Sequence, residues 1–437
     1  DDQPEKGWVV GLVVDHDFSD TLSWNLNYRY VWHEDFARGY ENLSFRDENT
    51  LRRRDRNQAN ERTYNFLDTN LNWRPVTGGV QHDVMLGVNF GTETSQFTRI
   101  NFDGGNPTLD IDILNPVYGQ GVPNPDQNVS DNDREREYDT FGVYVRDFIT
   151  LSDQWKVVIG ARYEEFDTSE DLYQPAFPDR EFSRTLEANG DDVSTMFGVI
   201  FQPNDTWSVY ASYAESFDPP TWGREDANGN PITRPELGRQ VEGGVKMDFA
   251  RGSATLSIFS INREDVLQDT GQDQPDGTPI YDFLGEDKSS GFEFEVDAAL
   301  SDIWHLIFAY ARVDAEVEAD VNSDRIGQTL LNAPKNSLSI WNRFQFTESW
   351  GLGLGINHAS ERYGSAFAGN GDQSTRLKLP SYTLVDLGVY YSGASFDATL
   401  KLSNVGDEEY YVSSTRNTNI VPGLPATVTL SLMKRFD

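Results

Sequence analysis

The sequence predicts an all-β chain of the transmembrane antiparallel β-barrel class. Three observations carry the prediction. Apolar and polar residues alternate strictly, connections sort into short and long, and the composition is poor in hydrophobic residues yet rich in aromatic ones. The terminal stretch ATVTLSLMKRFD shows the first. Val428, Leu430, Leu432 and Phe436 fall on one parity, and Thr427, Thr429, Ser431 and Arg435 on the other. This is a strand with one apolar and one polar face. In GFEFEVDAAL, Phe292, Phe294 and Val296 oppose Glu293, Glu295 and Asp297. In QVEGGVKMDF, Val241, Val245, Met247 and Phe249 oppose Gln240, Glu242, Lys246 and Asp248. In NSLSIWNRFQF, Leu338, Ile340, Phe344 and Phe346 oppose Ser337, Ser339, Arg343 and Gln345. About seventeen such segments, each roughly 9–14 residues long, run through the chain, with almost no helical period.

The connections come next. Short ones fall at 19–21, 76–81, 152–154, 203–205, 250–252, 301–303, 347–349 and 393–395. Long polar stretches separate them, at about 33–60, 97–137, 167–192, 217–238, 265–288, 315–335, 358–380 and 404–425. Hairpins that turn tightly at one end and loosely at the other are expected of outer-membrane barrels, with short periplasmic turns and long extracellular loops. Sandwiches do not sort their loops this way.

Composition agrees. Hydrophobic residues make up 37% and aromatic residues 13%. That is little for a soluble core but enough for a wall in which only alternate residues meet lipid. Faces with several charges would need pairing throughout a dry core; they suit a wet lumen. Trp8, Trp155, Trp207, Trp304, Trp350, Tyr390 and Tyr391 stand near strand ends, where interfacial girdles form. No apolar run approaches the roughly 18 residues of a membrane helix. The net charge of −35 argues against nucleic acid as a partner. With no cysteine there is no disulfide framework or thiolate site. The five histidines, at 16, 33, 82, 305 and 358, form no catalytic or metal-ligand spacing. The chain does not read as an enzyme, and no cofactor or resident metal is expected.

The order and spacing of several motifs resemble a TonB-dependent siderophore receptor of the ferrichrome-receptor kind. They include LDIDILNPVYG (109–119), DTFGVYVRDFITLSDQWKVVIGARYEEFD (139–167), PELGRQVEGGVKMDF (235–249), GQTLLNAPKNSLSIWNRFQF (327–346) and the tail from RYGSAFAGN (362–370) to Phe436. Two departures lie in the last loop. Asn404-Val405-Gly406-Asp407 replaces an Asn-Leu-Phe-Asp-like turn, and Ala426 stands where the family often has arginine. The resemblance implies a barrel of roughly 22 strands, of which about seventeen are present, with Trp8–Phe18 matching about the sixth. The expectation is that residues 1–437 are a partial barrel domain without plug or TonB box, open or gapped, its outer strands unpaired with each other.

The resemblance implies a location in the bacterial outer membrane and active uptake of a ferric siderophore, of hydroxamate type. The implied partners are lipopolysaccharide, membrane lipid and the TonB–ExbB–ExbD complex. A passive porin is the alternative. Candidate ligand contacts are the loop residues Tyr118, Trp222, Tyr281, Phe283, Arg362, Tyr363 and Phe367. Rigid amphipathic rings suit a compact chelate with apolar edges, and Arg362 suits an anionic one.

Overall fold

The computed structural model describes residues 4–102, 109–119, 128–173, 181–220, 224–274, 279–365 and 372–435. Seventeen long strands follow one another: β1 (Glu5–Ser19), β2 (Leu22–Phe45), β3 (Thr50–Trp73), β4 (Val80–Phe102), β5 (Asn128–Thr150), β6 (Trp155–Tyr173), β7 (Phe182–Asn204), β8 (Trp207–Asp218), β9 (Glu236–Phe249), β10 (Gly252–Asp273), β11 (Pro279–Ala299), β12 (Trp304–Ala319), β13 (Asn336–Gln345), β14 (Trp350–Ala359), β15 (Tyr382–Ser392), β16 (Phe396–Ser403) and β17 (Thr427–Lys434). Two further strands of two residues each, Val76–Thr77 and Ile111–Asp112, bring the sheet to 19. The described residues hold no α-helix; 3-10 turns lie at Ser323–Arg325 and Gln373–Thr375.

Each long strand pairs antiparallel with its neighbours in sequence. Up-and-down order places every expected short connection at one edge and the long ones at the other. Among the described residues no ladder joins β1 to β17, as expected. The sheet nevertheless curls round at the loop edge. Asn42 Nδ2 donates to the Thr418 carbonyl at 3.3 Å, and Thr418 Oγ1 to the Leu43 carbonyl at 3.2 Å. The tip of the β2–β3 hairpin thereby meets the loop between β16 and β17.

The two faces are as the alternation predicts. On β15, Val385 and Leu387 are exposed while Asp386 between them and Gly388 after them are buried. Across strands the outer rows are apolar: Met247, Ala254, Val296, Phe308, Ile340, Ile356 and Val385 lie in register. Near the turns this face carries Trp73, Trp155, Trp207, Trp304 and Trp350, each more than a third exposed. Neighbouring rings touch, Trp155 with Phe201 at 4.6 Å and Trp350 with Tyr391 at 4.9 Å. Along β2 the band runs from Trp24 to Trp32, roughly 27 Å along the strand, which at the tilt of about 35–45° usual for such strands covers roughly 20 Å of an apolar band about 25 Å tall.

The inner face is polar and locked by aromatic rings laid over glycines. Tyr210 lies over Gly244, where an added Cβ would come within 2.6 Å of the ring. Its hydroxyl donates to Glu242 at 2.5 Å, and Lys246 Nζ sits 5.3 Å from the ring centre. Glu293 pairs with Ser257, which pairs with Gly244, so Glu293 and Glu295 share this face. Replacing Gly244 by valine is expected to lower stability by about 1–3 kcal/mol, the usual cost of overpacking. The drop should appear as an earlier loss of heat-resistant, compact mobility on gels.

Two expectations need correction. Tyr390 is not in the girdle. Consecutive strand residues alternate faces, so with Tyr391 outside Tyr390 points inward, where a Cβ on Gly353 would approach it within 3.2 Å. Much of the polar sequence read as loop is strand. β2 and β3 are 24 residues each and leave only 46–49 as a turn. Above Trp32 the β2 wall continues through Phe45, roughly 40 Å along the strand. There neither face meets lipid, so apolar alternation is lost, and cross-strand polar pairs hold the hairpin instead.

Candidate ligand vestibule

At the loop edge the segment between β8 and β9 folds back onto its neighbours. Glu225 is buried; its Oε1 accepts from Arg184 Nη1 at 2.8 Å and its Oε2 from Gln274 Nε2 at 3.1 Å. The Glu225 carbonyl accepts from the Tyr281 N–H at 2.9 Å. Next to it Asp226 Oδ1 accepts the backbone N–H groups of Asn228 and Asn230, at 2.8 and 2.9 Å. The Asn230 backbone bond, then its side chain, holds the Asp226 carboxyl below its ordinary value. Residues 226–230 close on themselves in this way. Inward, the Thr233 carbonyl lies 3.0 Å from where a Cβ on Gly190 would stand, and Phe166, Leu186 and Ile232 are buried nearby in the same wall and loop.

This frame brings two of the candidate aromatics together. Arg224 stacks on Tyr281 at 4.1 Å, and Arg234 on Phe283 at 4.2 Å. A cavity of about 170 Å³ beside them is lined by Asp218, Pro219, Pro220, Arg224, Arg234, Glu236, Arg263, Leu267 and Phe283. Guanidinium over an aromatic face is favourable, and Arg234 is further held by Asp265 at 2.7 Å.

Tyr363 and Arg362 belong to a second cluster. Tyr363 is flanked by Arg376 at 4.2 Å and Lys378 at 5.4 Å. Glu361, bonded to Lys378 at 2.9 Å, raises the Lys378 pKa. Arg362 is only 5% exposed, and its Nη2 donates to the Tyr411 and Val412 carbonyls at 2.5 and 2.7 Å. Arg376 donates to the Thr329 and Ser365 carbonyls at 2.8 and 3.0 Å. The Asn332 side chain exchanges two hydrogen bonds with the Ser414 backbone, its Nδ2 donating to the carbonyl at 2.9 Å and its Oδ1 accepting from the N–H at 3.0 Å. The two arginines and Asn332 thus tie three loops into one lid. A cavity of about 300 Å³ lies alongside, lined in part by Lys335, Asn336, Arg362, Tyr363 and Lys378. The last loop is anchored at Asn404, whose side chain bonds Glu408 and Leu424 at φ +52°. Asp407 receives the Ala426 N–H at 2.8 Å, so the turn forms without the family's usual Leu-Phe pair.

Tyr118 stands apart, 76% exposed, at the end of a segment pinned by pairing of Ile111 with Leu51 and by Arg53 Nε on the Leu109 carbonyl at 2.8 Å. Trp222 and Phe367 lie outside the described residues.

The inner wall above the membrane band carries residues the sequence reading missed. Glu41 Oε2 meets Arg54 Nη2 at 2.5 Å and Arg56 Nη2 at 2.6 Å. Glu170 Oε1 meets Arg134 Nη1 at 3.1 Å and Arg136 Nη2 at 2.8 Å. Between these two groups Arg99 donates to the neutral Gln58 Oε1, at 3.0 and 2.9 Å. The alternate spacing of Arg54 and Arg56, and of Arg134 and Arg136, is the signal: two strand residues apart share a face. Among the described residues no group of acidic or histidine side chains is arranged to hold a metal.

The sequence matches the family model described as TonB dependent receptor-like, beta-barrel, over residues 1–405. It is 31% identical over 370 residues to the metal-pseudopaline receptor CntO of Pseudomonas aeruginosa, covering 82% of this chain and 49% of that protein. It is 27% identical over 421 residues to the ferrioxamine B receptor of Salmonella typhimurium, covering 92% of this chain and 54% of that one. The chain therefore spans about half the length of the relatives it matches. Its fold matches the crystal structure of the ferric-catecholate import receptor Fiu of E. coli K12, with a TM-score of 0.81 at 20% identity, over 98% of this chain and 64% of Fiu. The chain belongs to the TonB-dependent receptor β-barrel family, transport receptors rather than enzymes, seated in the outer membrane of Gram-negative bacteria.

Proposed function

We propose that this chain forms the wall of a receptor that imports a ferric siderophore across the outer membrane, driven by TonB with ExbB and ExbD. The observation that carries the reading is the loop-edge vestibule, where arginine–aromatic stacks border a cavity above a polar inner wall. All 437 residues are assigned to the barrel and none to a plug; the unbroken hairpin order from Glu5 to Lys434 supports this. Tyr281 and Phe283 are the leading ligand contacts, with Tyr118 and Tyr363 at separate points of the rim; Trp222 and Phe367 are kept as rim candidates from sequence. Arg362 is assigned to holding the lid. Lipopolysaccharide is the expected outer neighbour of the tall polar wall.

A hydroxamate chelate is supported by the relative named for ferrioxamine B. A second reading, a different metal chelate, is favoured by the 31% identity to the metal-pseudopaline receptor. Growth of an iron-starved strain in which the complete gene supplies the only receptor, fed chelates one at a time, tests both. Rescue by a trihydroxamate complex that needs TonB supports the first. Rescue independent of TonB would refute active uptake.

A further inference from the structure

We infer that His82 and Asp147 form a site on the lipid face for a phospholipid head group that carries a primary ammonium. Even positions of β4 and odd positions of β5 face outward, as the exposure of Leu86, Phe90 and Val145 shows. Asp147 stands in an outer row with Trp73, Val84, Ile159 and Phe197, and His82 pairs with Ile149. From Leu67, Phe90, Phe141 and Tyr163 down to the turns, the outer positions of β3–β6 carry no other acid or base. Arg146, Lys156 and the Arg74–Asp83 pair belong to the inner parity, and Asp153 lies in the exposed turn. His82 Nδ1 donates to Asp147 Oδ2 at 2.8 Å. With a neutral imidazole the pair carries one negative charge and keeps two acceptors. Asp147 Oδ1 is buried without a hydrogen bond, and His82 Nε2 has no partner among the described residues. A carboxylate in apolar surroundings is costly until its charge is met, and this stretch of wall supplies no cation. The depth suits a head group. His82 follows directly on the turn, its N–H bonded to the Pro75 carbonyl at 3.0 Å. Trp73 and Trp155, 53% and 44% exposed, flank the pair, and such rings sit at head-group level. Short turns of these barrels face the periplasm, so the lipid is one of that leaflet. A primary ammonium is compact and offers three donors. A trimethylated head group offers none, and an anionic one is repelled. The inference is independent of the cargo.

The test uses the receptor expressed from its complete gene, purified and titrated with phosphatidylethanolamine, phosphatidylcholine or phosphatidylglycerol, with bound lipid counted by native mass spectrometry. The wild type should bind phosphatidylethanolamine about tenfold more tightly than the other two, the worth of one charge-assisted hydrogen bond. Asp147→Asn, which keeps the shape and removes the charge, should abolish the preference, and His82→Gln should reduce it. Asp153→Asn, which removes the same charge from the neighbouring turn, should retain it. Urea unfolding in vesicles separates lipid binding from a purely internal tie. Asp147→Asn should unfold earlier than wild type only in vesicles that contain phosphatidylethanolamine. Equal loss in vesicles of phosphatidylcholine alone overturns the inference. So does a wild type without the preference, or an Asp147→Asn variant that keeps it.

Discussion

Arginine in place of Ile340 is expected to cost about 2–4 kcal/mol, the penalty of a cation on the lipid face near the bilayer midplane. Ile340 lies in register with Phe308 on one side and Ile356 on the other, in an outer row without charge. Its neighbour Ser339 faces inward, donating to Asn357 Oδ1 at 2.9 Å. Ser339→Arg should therefore change stability by less than about 1 kcal/mol, as surface changes usually do. The two variants differ by one position in one strand and add the same charge. Urea titration of the folded barrel in lipid vesicles measures both. Equal destabilisation would mean that the strand does not separate lipid from lumen.

The second large effect is expected at Arg362. Arg362→Ala leaves the Tyr411 and Val412 carbonyls without their shared donor, at about 1–3 kcal/mol for each acceptor left buried and unpaired. The cost falls mainly on the lid, because the hydrogen bonds of Arg362 go to loop backbone, while its guanidinium meets the sheet through the Tyr382 ring at 5.5 Å. Global unfolding should barely move. Protease cleavage within 404–426 should rise sharply, and amide exchange at Tyr411–Arg416 should accelerate. Arg362→Lys should restore little, since one ammonium cannot copy the fork that spans two carbonyls.

The sheet was legible because membrane physics writes it into alternate residues. Val385 and Leu387 meet lipid and Asp386 does not, and a shift of one residue would invert all three. Turn positions were legible for a similar reason: at 76–81 only the pair Gly78 and Gly79, both at positive φ, lets the chain reverse so sharply. What lies beyond the lipid was hidden. Residues 33–60 look like loop because both faces meet water or polar partners, so Glu41 opposite Arg54 carries no period. Arg362 was hidden for another reason. Its burial depends on Tyr411 and Val412, some fifty residues away, and nothing in its local sequence distinguishes it from a solvent-exposed arginine. Tyr281 and Phe283 were found as aromatics, but their arginine partners come from a separate loop.

The strictly sequential strand order has a kinetic consequence. Each strand can dock on the edge left by the one before it, so the loop to be closed at every step is one hairpin. Loop-closure entropy grows only with the logarithm of length, and short closures keep the search fast. The contact between Asn42 and Thr418 is different, since 376 residues separate them. Made early, it would order a long chain for two hydrogen bonds. Made after the strands between have zipped, it joins two surfaces already brought close. The ring at the loop edge should therefore be the last part of the molecule to form and the first to open, with Asn42→Ala quickening unfolding while leaving the rate of strand assembly unchanged.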